Sequence, residues 1–171
     1  MKSKIVIVGY RASGKSTLGD ILAQRLGWPL LDIDRGIEVH IGTTLADYYR
    51  KVGEAVFRPL ETKVVIEMCS NQTCVIAFGA GTLQTLANRE HACRDALVVY
   101  LKASPEELWR RMSADPKTAA TRPDLAGGGL AEVIEKLDER EPVYQQCADL
   151  IVDATEPSQT LAARVLAAFQ G

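Results

Sequence analysis

The sequence offers little that would point to a metal centre, a nucleic acid or a membrane. Its 171 residues include only two histidines and four cysteines, and the spacing of Cys69, Cys74, Cys93 and Cys147 matches no zinc or redox pair. The 20 basic and 22 acidic side chains nearly cancel, so there is no basic excess for a nucleic acid. No apolar run approaches the length of a membrane span. We therefore expect reduced thiols in a cytoplasmic protein with no nucleic-acid or membrane partner. We also expect the protein to be a monomer.

What the sequence has instead is an alternation of apolar runs and helical patterns. The first segment, MKSKIVIVGY, leads directly into a strand with no cleavable apolar leader, which also favours the cytoplasm. Most predicted strands are short and nearly continuous apolar runs, as in strands covered on both faces. The strands are expected at Lys4–Val8, Pro29–Ile33, Thr73–Ala77, Ala96–Leu101 and Leu150–Val152. Helices are expected at Lys15–Leu26, Phe57–Ser70, Pro105–Met112, Leu130–Cys147 and Pro157–Phe169.

This alternation predicts an α/β fold, a parallel sheet with helices on both faces, in a single domain spanning residues 1–171. Ligands in such folds bind outside the carboxyl ends of the strands, so the segments that follow the strands are candidates for a site. These segments are residues 9–16, 32–34, 78–81 and 153–157. Residues 113–129 join two helices through two prolines and three consecutive glycines. We interpret this segment as a lid, with a flexible linker as the alternative.

The strongest motif is GYRASGKST, residues 9–17, between the first predicted strand and the first predicted helix. It fulfils the pattern G-x-x-x-x-G-K-[ST], whose glycines let backbone N–H groups converge on phosphate oxygens. Lys15 is expected to reach the β- and γ-phosphates, and Ser16 to ligate Mg²⁺. A nucleoside triphosphate is the predicted ligand, and its predicted contacts are Ala12, Ser13, Gly14, Lys15, Ser16 and Thr17. The chain has no Asn-Lys-x-Asp stretch, which disfavours a GTPase-like switch.

The segment LLDIDR carries two acids, Asp32 and Asp34, at the end of the second predicted strand. Two residues apart on a strand, their side chains would share one face and could point into the cleft. One carboxylate could order the water around Mg²⁺, and the other could accept a hydroxyl proton or hold a polyol. The alternative is that the pair caps the following helix.

Arginines and glycines are the remaining candidates. Arg58, in GEAVFRPLE, could bind a carboxylate through two hydrogen bonds from its guanidinium group. The alternative is an ion pair with Glu54 or Glu61, one helical turn away. The glycines of the Gly79–Gly81 turn indicate a close approach of the backbone to a ligand, or a structural turn. Arg140 lies in an amphipathic helix, and it matters only if the fold turns it inward; the alternative is a solvated helix charge.

Together, these motifs resemble the shikimate kinase family over nearly the whole chain and in the same order. GYRASGKST is similar to the family's phosphate loop, and LLDID to its Asp-x-Asp. GEAVFRPLE is similar to the family's Gly-Glu-x-x-Phe-Arg-x-x-Glu, which is the most family-specific of these motifs. RPDL resembles the lid motif Arg-Pro-Leu-Leu, and EREPVY resembles Arg-x-Pro-x-Tyr. The resemblance implies a three-layer P-loop kinase fold whose five-stranded parallel sheet has the order 2-3-1-4-5.

On the acceptor side, the resemblance implies an ATP-dependent enzyme that phosphorylates the 3-hydroxyl of shikimate on the route to chorismate and the aromatic amino acids. It implies that Arg58 and Arg140 hold the shikimate carboxylate, and that Asp34 binds the ring hydroxyls and acts as the base. It places the acceptor-binding region within residues 34–61. Further substrate contacts are implied for Gly79, Ala80 and Gly81.

On the nucleotide side, the resemblance implies that Asp32 helps to hold Mg²⁺ through water. It also implies that Arg122 moves from the lid onto the transferring phosphate. Arg110 or Arg111, with the segment Thr155–Pro157, would flank the adenine. The implied partners are ATP, Mg²⁺ and shikimate.

Two residues depart from the family pattern. Ala80 replaces the middle glycine of a Gly-Gly-Gly turn, and it would resist a positive φ at a cost of about 1 kcal/mol if the turn needs one. Asp124 stands where leucine is usual in the lid. No acid ends the third strand, so Asp32 must serve the metal. The open alternatives are a kinase of another small carboxylated polyol, such as gluconate, and a non-catalytic nucleotide-binding relative.

Overall fold

The structure is a computed structural model that describes residues 2–71, 73–115 and 128–171. The predictions for Arg122 and Asp124, and for most of the expected lid, fall on residues outside these ranges. Within the ranges, strands and helices alternate along the chain, which confirms the predicted α/β class.

Five parallel strands form one sheet in the order β2-β3-β1-β4-β5, as predicted. The strands are β1 (Lys4–Val8), β2 (Leu30–Asp32), β3 (Val75–Ala77), β4 (Ala96–Lys102) and β5 (Leu150–Asp153). β1 lies at the centre, where Ile5 pairs with Val75 of β3 and with Leu97 of β4. All residues of β1 are buried, as expected for a central strand covered on both faces.

Two strands begin later than predicted, each for a local reason. Thr73 has a φ of 63°, outside the strand region, and β3 therefore begins at Val75. Pro29 has no backbone N–H to give to a ladder, and β2 begins with the next residue.

Helices lie around the sheet, and all five predicted helices are present. The described helices are α1 (Lys15–Leu26), α2 (Ile33–Ile41), α3 (Leu45–Val52), α4 (Glu54–Cys69), α5 (Leu86–Cys93), α6 (Pro105–Ala114), α7 (Gly129–Cys147) and α8 (Ser158–Gln170). A 3₁₀ turn spans Thr82–Gln84. The sequence patterns did not predict α2, α3 or α5, which have only eight or nine residues each and are too short for a clear helical period.

α4 begins three residues earlier than predicted, at Glu54. Pro59 lies inside this helix, where it donates no hydrogen bond to the preceding turn. The earlier start places Glu54, Arg58 and Glu61 at helical spacings of four and three residues, so that they share one face. This face carries much of the site described below.

The hydrophobic core is built around β1 and β4, and it includes three fully buried tyrosines: Tyr10, Tyr100 and Tyr144. The ring centres of Tyr100 and Tyr144 are 5.1 Å apart. Tyr10 belongs to the phosphate loop and Tyr144 to α7, so the core extends directly to the edge of the sheet where the predicted site residues lie. Across the three described ranges, no helix combines the length and apolarity that a bilayer crossing requires.

Candidate active site

Three predicted site segments meet at the carboxyl ends of β1, β2 and β3. The phosphate loop follows β1, Asp32 and Asp34 lie at the end of β2, and the Gly79–Gly81 turn follows β3. Parallel strands all end at the same edge of a sheet, so these segments converge. Because β3 lies between β2 and β1, the turn is placed between the acids and the phosphate loop.

The phosphate loop is shaped by its backbone. Gly9, Ala12 and Gly14 have positive φ angles of 152°, 60° and 98°. A Cβ on Gly9 would lie 2.8 Å from Ser13 Oγ and 2.9 Å from the Leu101 carbonyl oxygen, so the loop closes only around glycine. Gly14 is the N-cap residue of α1 and has no side chain to cap it, which leaves the first backbone N–H groups of the helix available to an anion.

Lys15 lies across this loop. Its ammonium donates hydrogen bonds to the carbonyl oxygens of Gly9 at 2.9 Å and Tyr10 at 2.8 Å. These bonds keep the positive charge over the loop, where a phosphate would be held. Ser16 and Thr17 follow in the first turn of α1, and both are exposed. The predicted nucleotide contacts are therefore gathered at one helix start.

The two arginines considered for the adenine side have different surroundings. Arg111 donates to the Ala12–Ser13 carbonyl oxygens, each at 3.4 Å, and to the Ala154 carbonyl oxygen at 2.8 Å. Arg110 is exposed and pairs with Glu107 through two hydrogen bonds of 2.8 Å. These bonds, with one from Arg111 Nε to the same carboxylate, lower the pKa of Glu107 to about 2. Arg111 thus fastens the phosphate loop to the turn after β5, while Arg110 remains on the surface.

Asp32 and Asp34 do not share a strand face, because β2 ends at Asp32 and α2 begins at Ile33. That part of the prediction is wrong. Asp32 Oδ1 accepts a hydrogen bond from the Arg35 backbone N–H at 3.1 Å, so this carboxylate caps α2 and starts the helix where a strand was expected. Asp34 points towards the Gly79–Gly81 turn, since a Cβ on Gly79 would lie 2.5 Å from its Oδ1. The two acids therefore have separate environments.

Arg58 is paired with acids and also faces the turn after β3. Its Nε donates to Glu54 at 3.1 Å, and its Nη1 donates to Glu61 at 2.8 Å and to the Gly81 carbonyl oxygen at 3.3 Å. Thr82 Oγ1 donates to the other Glu61 oxygen at 2.9 Å. The ion-pair alternative is thus confirmed. Because the guanidinium also borders the turn, these pairs orient Arg58 towards the site.

Sequence reasoning did not assign Glu61 to the site. The residue is 2% exposed, and burial raises the pKa of its carboxyl even though Arg58 and Thr82 oppose the shift. Burial acts to lower the pKa of Arg58, but the Glu61 and Glu54 carboxylates together outweigh it and the pKa is raised. The i+3 spacing from Arg58 was the signal that could have identified this residue.

The Gly79–Gly81 turn needs its glycines for space rather than for backbone conformation. A Cβ on Gly79 would lie 2.8 Å from Thr82 Oγ1, in addition to its clash with Asp34. Gly81 has a φ of −101°, and Ala80 is not among the described residues with positive φ. The backbone cost considered for Ala80 therefore does not arise.

Buried tyrosines connect this turn to α7. The Tyr144 hydroxyl donates a hydrogen bond to the Ala80 carbonyl oxygen. Arg140 is half-buried, and its guanidinium carbon lies 5.6 Å from the centre of the Tyr10 ring, as does that of Arg11. Arg140 is therefore turned inward, and the alternative of a solvated charge is wrong. Tyr144 is the last residue of the EREPVY motif, but its contact with Ala80 could not be predicted, because the partner is a backbone carbonyl far along the chain.

Comparison with known proteins identifies the family. The sequence model described as "SKI: Shikimate kinase" matches residues 11–170. The chain belongs to the shikimate kinase family. It is an ATP-dependent kinase, and the resemblance drawn from the motifs is confirmed.

Curated members of the shikimate kinase family match almost the whole chain. A shikimate kinase from Enterococcus faecalis is 36% identical over 154 residues, which is 90% of each protein. Shikimate kinase 2 from Salmonella schwarzengrund is 36% identical over 170 residues, which is 99% of this chain and 93% of the relative.

Solved structures of the family have the same architecture. Shikimate kinase from Acinetobacter baumannii in complex with shikimate has a TM-score of 0.90 at 30% identity, covering 99% of this chain and 94% of the other. Shikimate kinase from Bacteroides thetaiotaomicron has a TM-score of 0.88 at 29% identity, covering 99% of both chains. A gluconokinase from Sinorhizobium meliloti, at 20% identity and a TM-score of 0.62, shares the fold alone.

Proposed function

We propose that this member of the shikimate kinase family transfers the γ-phosphoryl group of MgATP to the 3-hydroxyl of shikimate, giving ADP and shikimate 3-phosphate. The observation that carries the proposal is the placement of Asp34 and Arg58 on one glycine turn. Gly79 leaves room for the Asp34 carboxylate, and Gly81 for the Arg58 guanidinium, whose Nη2 lies 3.1 Å from a Cβ position. The Asp34 carboxylate, which can accept a hydrogen bond from a hydroxyl, and the Arg58 guanidinium, which can bind a carboxylate, therefore border the same acceptor space.

The proposed roles on the acceptor side follow from charge. The Arg58 guanidinium, oriented by Glu61, and the inward Arg140 would bind the shikimate carboxylate. Asp34 would accept a hydrogen bond from the reacting hydroxyl and take its proton as the oxygen attacks. The Gly79–Gly81 turn would contact the ring closely, because two of its residues carry no side chain.

On the nucleotide side, residues 12–17 would surround the phosphates, with the Lys15 charge placed over the loop. Phosphoryl transfer depends mainly on positioning and on stabilising charge at the moving group. Arg110 would flank the adenine, and Arg111 would fix the loop through its contacts with the loop carbonyls. The role proposed for Arg122, a contact with the transferring phosphate, rests on its lid motif.

The residues present fit a magnesium ion that is held largely through the nucleotide. Ser16 is exposed at the start of α1, and only the Oδ1 atom of Asp32 accepts the capping hydrogen bond from Arg35. The described parts of the chain contain no group of three or more His, Cys, Asp or Glu that could form a dedicated metal cage. Mg²⁺ commonly keeps several waters and binds through phosphates and one or two protein oxygens. Ser16 would ligate the ion and Asp32 would hold its water, and the ion would neutralise charge on the phosphates.

We also propose that the chain acts as a single-domain monomer in the cytoplasm. The large apolar side chains that are exposed lie on several different elements, including Val39 on α2, Leu86 on α5 and Ile151 on β5. Scattered single exposures of this kind are ordinary for a monomer surface. Light scattering during size-exclusion chromatography tests the oligomeric state directly.

The function is tested by measuring ADP release from the purified protein with MgATP and shikimate. Parallel reactions contain gluconate, a panel of nucleoside monophosphates, or no acceptor. We expect turnover only with shikimate, and a phosphorus NMR signal from the phosphorylated product. Turnover with gluconate but not shikimate would contradict the proposal, and so would intact ATP binding without any acceptor-dependent turnover.

The acceptor assignment is tested separately with Arg58→Ala. Because its guanidinium would meet the acceptor carboxylate, the variant should weaken shikimate binding far more than ATP binding, as measured by calorimetry. Arg50→Ala is the matched control, since Arg50 is exposed on α3 and pairs with Asp47 alone in the described contacts. Equal losses of the two affinities in Arg58→Ala would refute the role.

A further inference from the structure

Two cysteines that are distant in the sequence meet at the edge of the sheet opposite the active site. Cys93 is the last residue of α5, just before β4, and Cys147 is the last residue of α7, just before β5. β4 and β5 are paired strands, with Val99 opposite Leu150, and this pairing brings the two helix ends together. The pair is invisible to motif spacing, because it is formed by the fold.

The two cysteines are adjacent and accessible. Cys93 Sγ lies 3.9 Å from the Cys147 carbonyl oxygen, so the Cys93 side chain contacts the end of α7. Cys93 is exposed and Cys147 is half-buried. The other two cysteines differ, since Cys69 is 5% exposed and Cys74 is fully buried. A reagent in solution therefore reaches one pair of thiols and not the other.

The surrounding charges make the two thiols unequal. Arg89 lies one turn before Cys93, and its guanidinium is fixed by hydrogen bonds to the carbonyl oxygens of Leu83–Gln84 at 2.7 and 3.3 Å. The hydrogen bond from Cys93, with a further contribution from Arg89, lowers the pKa of Cys147 to about 7 although burial opposes this. The same hydrogen bond, burial and the nearby Asp149 carboxylate raise the pKa of Cys93. These opposite shifts favour Cys147 as the attacking thiolate and Cys93 as the second thiol.

We propose that Cys93 and Cys147 form a thiol–disulfide exchange site that reacts with low-molecular-weight disulfides such as oxidised glutathione. The Cys147 thiolate attacks one sulfur of the small disulfide, forming a mixed disulfide and releasing one glutathione thiolate. Cys93 then loses its proton to solvent and attacks Cys147 Sγ, which releases the second glutathione. Two protein thiols are oxidised to one disulfide while one small disulfide is reduced to two thiols. This inference is independent of the proposed kinase function.

The test treats the reduced full-length protein with oxidised glutathione and follows its intact mass. We expect the wild type to lose two hydrogens and to carry no adduct, and a peptide digest to contain a Cys93–Cys147 cross-link that dithiothreitol removes. In Cys93→Ser, one glutathione should remain on Cys147, because no second thiol releases it. In Cys147→Ser, the remaining thiol should react about tenfold more slowly. Both variants should keep kinase activity, since neither residue borders the active site.

Three results would overturn the proposal. One is a wild-type protein that keeps glutathione on Cys147, since the second thiol would then not reach it. Another is Cys147→Ser reacting at Cys93 as fast as the wild type, and the third is reaction at Cys69 or Cys74 instead. Brief alkylation of the native wild type with iodoacetamide needs no variant and gives an independent check. Cys147 should be labelled first, and preferential labelling of any other cysteine counts against the site.

Discussion

The phosphate side and the proposed acceptor side of this active site present ligand-binding groups of different origin. Around the phosphate loop the groups are mainly backbone N–H donors, whose positions are set by the φ angles of Gly9, Ala12 and Gly14, with the Lys15 ammonium added. Around the Gly79–Gly81 turn they are side-chain charges, which are oriented by other side chains. Backbone geometry suits a phosphate group that every ATP shares, whereas side-chain charges distinguish one acceptor from another. The two sides should therefore respond differently to substitution.

The largest effect is expected from Lys15, whose charge lies over the phosphate loop. Lys15→Met removes the ammonium over the loop, and turnover should fall by about 10²–10³-fold while the fold stays intact. Steady-state kinetics and circular dichroism measure the two quantities. Lys63→Met, at an exposed position of α4, is the control and should behave as wild type. Near-normal turnover in Lys15→Met would remove Lys15 from the proposed catalytic groups.

The next effect tests whether the acceptor turn needs empty space. Gly79→Ala places a methyl group 2.5 Å from Asp34 Oδ1 and 2.8 Å from Thr82 Oγ1. The KM for shikimate should rise, or kcat fall, by about 10²-fold, with the KM for ATP nearly unchanged. Gly81→Ala is the milder comparison, because its methyl group would meet the flexible end of Arg58 at 3.1 Å. If Gly79→Ala raised the KM for ATP instead, the division between the two sides would be wrong.

A smaller effect is expected at the buried carboxylate that orients Arg58. Glu61→Gln removes the charge that accepts from Arg58 and Thr82, and shikimate affinity should fall about tenfold, or about 1.4 kcal/mol. Glu54→Gln is the matched control: the Glu54 side chain is 64% exposed, and its loss should change affinity by less than about twofold. Equal effects of the two variants on calorimetric affinity would contradict the role of Glu61.

The same residue gives a pH dependence with a definite sign. Because burial raises the native pKa of Glu61, its contribution to stability is fully present below the ordinary value of 4.5 and is lost as pH rises through the native pKa. The unfolding free energy of Glu61→Gln relative to wild type should therefore increase between about pH 4 and about pH 8. Urea denaturation at a series of pH values measures this difference. A difference that falls with rising pH would show that the native pKa is lowered.

The smallest effects are expected when Ala12 and Ala80 are each replaced by glycine, and the two expected changes in stability have opposite signs. Ala12 has a φ of 60°, so Ala12→Gly relieves backbone strain of about 1–2 kcal/mol and adds unfolded-state entropy worth about half of that. The net result should be a protein about 0.5 kcal/mol more stable. Ala80 has no positive φ, so Ala80→Gly should lower the stability by about 0.4–1 kcal/mol. Chemical denaturation measures the unfolding free energy of each variant. If both substitutions changed it in the same direction, this account of the two loops would be refuted.

The phosphate side of the site could be predicted from the sequence more fully than the acceptor side. The phosphate loop was predictable because its motif is contiguous and lies between a recognisable strand and helix. The sheet order was predictable through the family resemblance. Asp34 was assigned to the site but placed on the wrong kind of element, because the capping of α2 by Asp32 outweighed continuation of the strand. Local pattern alone does not decide between these two outcomes.

The acceptor side was less predictable because its contacts join distant parts of the chain. The hydrogen bond from Tyr144 to the Ala80 carbonyl depends on how α7 packs beside the turn. The inward position of Arg140 likewise depends on the Tyr10 ring. A local pattern can place such residues on a helix, but the neighbour that a side chain meets is set by tertiary packing.

The sheet order also determines when the protein can begin to fold. Among the described strand pairings, that of β2 with β3 joins the residues nearest in sequence, such as Leu30 and Val75. A ribosome must therefore reach β3 before any two strands can pair, and it must reach β4 before Ile5 of β1 has neighbours on both sides. The phosphate loop is complete early in synthesis, but the strand that holds it gains its partners much later. We therefore expect nascent chains to bind nucleotide late, well after the residues of the motif have been made.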